Sequence, residues 1–115
     1  MRAGNTTWPD SGLDAALCLL AGKWKAHILW ELRPDHLRFG ELRRRLAGVS
    51  DKVLSEKLRQ LEADGIVRRE SLATSYGPVQ RQVRYSLTPR GASLADALLP
   101  VRDWGARYLT AVAEN

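Results

Sequence analysis

Cysteine is almost absent from this chain, which has one, Cys18, among its 115 residues. A single cysteine cannot form an intramolecular disulfide, so nothing here requires an oxidising compartment. We therefore expect a cytoplasmic protein whose stability comes from an apolar core, and a chain of this length suffices for one such core.

Long apolar runs are also lacking. The run Ala15–Ala21 is shorter than the about 18 residues that a membrane-spanning helix needs. Asp10 and Asp14 lie near its start, where a signal peptide would carry positive charge. The sequence therefore predicts a core helix here and no association with a membrane.

The chain also lacks the sequence patterns of common catalytic and metal sites. It has no glycine-rich phosphate loop and no nucleophile elbow. Its soft metal ligands are Cys18, His27 and His36, which fall on two predicted helices and a loop, without the spacing of a metal site. We expect neither an enzyme nor a bound metal or cofactor.

What the chain does have is an uneven distribution of charge. Residues 23–87 contain 14 Lys or Arg and 8 Asp or Glu, whereas the two flanks contain 4 and 5. A basic excess confined to one segment favours a surface that binds a polyanion, although a solvated basic face would have the same composition.

That basic segment contains two helix patterns joined by a short turn. Leu42 and Leu46 are spaced i, i+4, and a second apolar stripe follows, made of Leu54, Leu58 and Leu61. Residues 47–50 (AGVS) join them. Two amphipathic helices around a tight turn with glycine are typical of a helix-turn-helix, whose second helix enters the major groove of DNA.

The flanking sequence predicts further helices. Residues 1–12 are polar and predict a mobile arm. Glycine, serine and proline signals then place four helices in order: 13–21, 24–33 before Pro34, 41–46 after an N-cap at Gly40, and one that starts after an N-cap at Ser50 and ends before a left-handed Gly65.

Beyond Gly65 the apolar period changes from 3.6 to 2. Val83, Tyr85 and Leu87 alternate with polar residues, which predicts a half-buried strand paired with 66–72 across a loop at 73–81. Thr88-Pro89 predicts the start of a last helix to about residue 113, which Pro100 should kink or divide. The expected fold is mainly α with a small β-hairpin wing: a winged helix-turn-helix.

Several polar residues on these elements are candidates for DNA contact. Lys52, Ser55 and Glu56 lie near the start of the fourth helix, where side chains usually reach base edges. Taken singly, each is as compatible with a solvated surface, for example through a Lys52–Glu56 pair. The full predicted DNA-binding set is Ser50, Lys52, Val53, Ser55, Glu56, Arg59, Arg43, Arg44, Arg68, Arg81, Gln82 and Arg84. One of the three arginines at 43–45 should turn along the protein surface.

Several stretches together resemble the HxlR-type winged-helix regulators, part of the MarR-like group. They are Gly22-Lys23-Trp24, residues 38–42 (RFGEL), 51–58 (DKVLSEKL), 61–67 (LEADGIV) and 83–88 (VRYSLT), with Gly91 and Trp104. The resemblance implies a homodimeric transcription factor on a pseudo-palindromic operator, with half-sites about 34 Å apart.

The same resemblance implies that the dimer is formed by the helices at 13–21 and 89–113. The implied interface residues are Leu13, Leu17, Leu20, Leu98, Val101, Trp104 and Tyr108. A second copy of the chain would then cover the apolar face of the last helix, which is too large for one small winged domain to cover.

Two departures from the family pattern stand out. Redox-sensing members carry a cysteine just before the first helix, at about Ser11 here, whereas Cys18 lies inside that helix. We therefore expect a buried structural thiol rather than a redox switch. The wing loop at 73–82 is also a few residues longer than usual, so its groove contacts do not carry over.

Two alternatives to a plain repressor remain. Trp30, Trp104 and Tyr108 could line a pocket for a small apolar effector that releases DNA, although core and interface packing would use the same aromatic residues. A winged fold that binds only protein is the other. Repression is the default, because a dimer on a promoter blocks polymerase without further contacts.

Overall fold

The computed structural model describes residues 11–72 and 82–114, of which Leu72 and Gln82 are placed by backbone alone. The helices and strands follow one another as α1 (Gly12–Leu19), α2 (Lys25–Leu32), β1 (Leu37–Arg38), α3 (Phe39–Arg45), α4 (Asp51–Ala63), β2 (Val67–Leu72), β3 (Gln82–Leu87) and α5 (Pro89–Ala113). The antiparallel sheet has the strand order β1-β3-β2. The predicted fold, helices with a hairpin wing, is confirmed.

The core is formed where the predicted apolar stripes of α2, α3 and α4 meet. The side chains of Ile28, Leu29 and Leu42 are fully buried. So are Leu54 and Leu61 on α4, with Leu58 at 2 % exposure. Burying a leucine or isoleucine side chain stabilises a fold by about 1.5–3 kcal/mol, so this stripe fixes which face of α4 points outward.

The start of α3 differs from the sequence prediction. Leu37 and Arg38 pair with Tyr85 and Arg84 of β3, so the chain stays extended up to Arg38, which is the N-cap. The Arg38 amide donates to the Glu41 side chain at 2.8 Å. The predicted N-cap at Gly40 is therefore wrong, because Gly40 already lies inside the first turn.

Helix α1 is not the core helix that its composition predicts. It starts at Gly12, and its N-cap is Ser11, whose side chain accepts from the Asp14 amide at 3.2 Å. Ser11 and Gly12 were predicted to lie in a mobile arm, whereas here they form the start of this helix. Residues 1–10 of that predicted arm lie outside the described residues. No residue of α1 is buried, and Leu13 and Leu17 are 69 % and 56 % exposed. The prediction that Cys18 is buried is also wrong, because within one chain its side chain is exposed.

The junction between α4, β2 and α5 is held by Thr88. Gly65 ends α4 with a φ of +76°, the left-handed conformation predicted for it. The Thr88 hydroxyl donates to the Gly65 carbonyl at 2.6 Å and accepts from the Gly91 amide at 3.0 Å. Helix α5 then continues through Pro100, so the proline does not divide it. None of the described helices is both long and apolar enough to cross a membrane.

Candidate nucleic-acid interface

The turn between α3 and α4 sets the direction of α4. Gly48 has a φ of +98°, which other residues rarely adopt, and Val49 is buried with its amide on the Leu46 carbonyl at 3.1 Å. Ser50 is extended, and its hydroxyl accepts from the Val53 amide at 3.1 Å. The predicted N-cap is thus confirmed, and α4 starts at the position that the sequence indicated.

The outward face of α4 carries four of the residues predicted to contact DNA bases, and we call it the reading face. Lys52 and Arg59 are exposed, and Ser55 and Glu56 are half-buried. They are spaced i, i+3, i+4 and i+7, so they share one face of the helix. Within the described residues Lys52 and Glu56 form no ion pair with each other. The ammonium of Lys52 and the carboxylate of Glu56 therefore remain available to base edges in the major groove of DNA. The alternative in which the two side chains pair with each other is not what the structure has.

Val53 is the predicted contact that fits the interface least well. Its side chain is partly buried against the apolar core. Only the part of it that stays exposed could touch a base or sugar, because the rest packs α4 against the core.

The three arginines of α3 have different surroundings. Arg45 pairs with Glu31 of α2 at 3.6 Å, so it is the one that turns along the protein surface. Arg43 pairs through Nε with Oδ1 of Asp51 at 3.3 Å. Arg44 is exposed, and no ion pair of the described residues includes it. Arg43 and Arg44 therefore remain the phosphate-contact candidates of this helix.

The wing supplies a second group of basic residues. Arg68 is exposed on the edge strand β2. Arg84 lies on the central strand opposite Glu70, and its Nε is 3.0 Å from Oε1 of that residue. It is therefore engaged within the sheet, which weakens its candidacy for phosphate contact. Arg81 lies outside the described residues, as does the loop at 73–81, and Gln82 is placed by backbone only.

The three aromatic residues predicted to line a pocket have different surroundings in the described structure. Trp30 lines a cleft of about 310 Å³ between α2 and α5, together with Ala26, His27, Glu31, Leu98, Val101 and Arg102. The Arg102 guanidinium lies 5.3 Å from the centre of the Trp30 ring. Trp104 and Tyr108 are not part of this lining; their rings stack on each other with centres 5.4 Å apart.

Five of the seven predicted interface residues are exposed apolar side chains on α1 and α5, and we call them the exposed apolar face. Leu13, Leu17, Val101, Trp104 and Tyr108 are each more than half exposed. Leu20 and Leu98 are partly buried against the core instead. The structure adds Leu109, 66 % exposed. Sequence reasoning missed it, although its i+8 spacing from Val101 puts it near the same stripe. In the described part of the chain no cluster of metal-binding side chains occurs.

Comparison with known proteins agrees with this architecture. The model of the HxlR-like helix-turn-helix family matches residues 19–113. The chain belongs to this family. It is 38 % identical over 104 residues to an uncharacterised HTH-type transcriptional regulator, YtfH, of Escherichia coli (strain K12), which covers 90 % of this chain and 79 % of the relative.

Solved structures show the same likeness. A putative MarR-family transcriptional regulator from Enterococcus faecalis V583 superposes with a TM-score of 0.77 at 36 % identity, over 96 % of this chain and 99 % of that one. The redox regulator HypR in its reduced form gives a TM-score of 0.80 at 33 % identity, over 91 % and 100 % of the two chains. The protein is thus a winged helix-turn-helix, DNA-binding transcriptional regulator.

Proposed function

We propose that this regulator binds a pseudo-palindromic operator as a homodimer and represses transcription. The observation that carries the proposal is the reading face of α4: Lys52, Ser55, Glu56 and Arg59 point away from a fully buried leucine stripe. Lys and Arg bind guanine O6 and N7, and Glu accepts from cytosine N4, so this face has the chemistry to distinguish base pairs.

Phosphate contacts around this face would set its register on the duplex. Ser50 lies at the positive end of the α4 dipole, where a phosphate is stabilised by free amides. Arg43, Arg44 and Arg68 are exposed on α3 and β2, next to α4 in the chain. Contacts of this kind give affinity for any sequence, whereas the α4 face gives the preference for one.

The exposed apolar face on α1 and α5 supports the homodimer. Monomeric proteins rarely expose contiguous apolar patches of more than a few hundred Å², and larger ones mark interaction surfaces. In the proposed dimer, pairing through these two helices leaves both α4 reading faces free for DNA. A two-fold dimer of this kind matches a two-fold operator.

Repression is the simplest effect of the proposed binding on transcription. A dimer bound across a promoter excludes polymerase sterically, which needs no additional surface.

The direct test is an electrophoretic mobility shift with the DNA upstream of the protein's own gene, compared with random DNA of the same length. We expect a preference for the upstream fragment and an affinity that falls steeply with salt, by about 0.9 log units per phosphate contact and tenfold change in salt. Selection from randomised DNA should then return a two-fold symmetric site. Equal binding of random DNA and every genomic fragment would contradict the proposal.

A second candidate function is control by a small apolar effector, which the α2–α5 cleft around Trp30 favours. Glu31, at the edge of this cleft, also holds Arg45 of the helix-turn-helix, so occupancy of the cleft could change the position of α3. Titration of tryptophan fluorescence with apolar candidates tests it, with Trp30→Phe as the variant that should lose the response. A response that persists in this variant would place the effector elsewhere.

A further inference from the structure

The ion pair between Arg43 and Asp51 places a carboxylate at the N-terminal end of α4, the end that faces DNA in the proposed complex. Asp51 is the first residue of this helix, directly after the Ser50 cap and directly before Lys52. Its carboxylate lies where the helix dipole favours an anion, which is also where a DNA phosphate would be stabilised. Asp51 and a phosphate therefore compete for the same positive end of the helix.

The ion pair with Asp51 leaves Arg43 able to contact DNA. The side chains of Arg43 and Asp51 are 51 % and 69 % exposed, and ion pairs this exposed contribute little to stability. Arg43 uses Nε toward Oδ1 of Asp51. Since a guanidinium has five N–H donors in a fixed fork, its terminal nitrogens remain able to bind a phosphate while Nε stays on the carboxylate.

We propose that Asp51, acting through Arg43, is a specificity-determining residue: it lowers affinity for DNA of any sequence and orients Arg43 for the operator. Non-specific binding consists almost wholly of phosphate contacts, so it carries the full effect of one additional negative charge. Operator binding also uses base contacts and gains from an oriented arginine. The carboxylate thus widens the ratio of operator to non-operator affinity.

This inference rests on the proposed function and is tested with Asp51→Asn in the full chain. At about 0.1 M salt we expect affinity for random DNA to rise about three- to tenfold and the salt slope to steepen by about one unit, because the carboxylate no longer neutralises Arg43 beside the phosphates. Operator affinity should change by less than about twofold, so the specificity ratio falls.

The matched control is Asp64→Asn, the same change of charge at the other end of α4. Thirteen residues of helix separate the two positions by about 20 Å, roughly two Debye lengths at 0.1 M salt. We expect the control to leave both affinities and the salt slope unchanged. If Asp51→Asn behaves like Asp64→Asn while the wild type still prefers its operator, the inference fails and the proposed function stands.

A double variant shows whether Asp51 acts through Arg43. Combined with Arg43→Gln, the substitution Asp51→Asn should no longer steepen the salt slope, because the arginine that the carboxylate neutralised is gone. The same rise in slope in both backgrounds would overturn the role assigned to the pair. If the wild type binds no DNA at all, the proposed function fails first, and the two failures are thereby distinguished.

Discussion

Single residues decide how α4 is presented to DNA. Ser50 accepts a hydrogen bond from the Val53 amide, so the first turn of α4 is formed before any ligand arrives. Lys52 and Ser55 then stand one turn apart on the outward face. Residues 50–55 therefore contain both the cap that stabilises α4 and the side chains that are proposed to contact bases. Substitutions at different positions in this segment should affect either the stability of the fold or the recognition of DNA.

The substitution Ser50→Ala removes the cap of α4. We expect the free energy of unfolding to fall by about 1 kcal/mol, because the Val53 amide loses its acceptor. Urea denaturation followed by circular dichroism measures it. Ser50→Asp retains a capping oxygen and serves as the control for stability. A loss of less than about 0.3 kcal/mol in Ser50→Ala would mean that water replaces the hydroxyl.

Lys52 is proposed to contact a base and Arg68 a phosphate, so their substitutions should change DNA binding in different ways. Lys52→Ala should reduce the preference for the operator by about 1–3 kcal/mol, since a contact with a base edge is lost. Arg68→Ala should weaken all sequences alike and flatten the salt slope by about one unit. Competition binding at several salt concentrations distinguishes the two. Uniform weakening by Lys52→Ala would remove it from the reading face.

At the scale of elements, the placement of α5 depends on close approach at its first turn. Gly91 is buried, and a Cβ at this position would overlap the Ile66 carbonyl oxygen, well inside van der Waals contact distance. That carbonyl also accepts the Thr88 amide at 3.1 Å, so it is fixed by the same junction. The glycine therefore sets how closely α5 packs against the end of α4.

The substitution Gly91→Ala tests this junction. We expect a loss of stability of about 2–4 kcal/mol, because backbone atoms would have to move apart. Gly12→Ala is the matched control, since a Cβ there meets nothing within 4 Å. Thermal unfolding of both variants gives the comparison. Similar melting temperatures for Gly91→Ala and the wild type would show that α5 can shift at no cost.

These elements also show what sequence reasoning captures. The leucine stripe of α4, its cap at Ser50 and the start of α5 at Thr88 follow from local rules, because the deciding contacts lie within four residues. The start of α3 does not, since it depends on pairing with Tyr85 and Arg84, more than forty residues away. The Arg43–Asp51 and Arg45–Glu31 pairs also join different helices, so spacing along one helix cannot reveal them.

The whole molecule exposes an apolar face that one chain does not cover. The family resemblance implied most of its residues, although not Leu109, but the burial of α1 depends on whether a second copy is present. Leu13, Leu17 and Cys18 are exposed in one chain, and a homodimer through α1 and α5 would cover them. The predicted core character of α1 would then hold for the dimer even though it is wrong for the single chain.

The substitution Trp104→Glu tests this arrangement at its centre. Trp104 is 61 % exposed and stacks on Tyr108, so a buried carboxylate at this position would oppose pairing of two chains without disturbing the core. We expect sedimentation equilibrium at micromolar concentration to give the mass of one chain for the variant and twice that mass for the wild type. Operator affinity should fall by at least about a hundredfold, because the two half-sites are no longer bound together.

Thr110→Glu is the matched control: it lies on the opposite side of α5 from Val101, adds the same charge, and should keep both the mass and the affinity. A wild type with the mass of one chain would refute the homodimer, and a dimeric Trp104→Glu would place its interface on another surface.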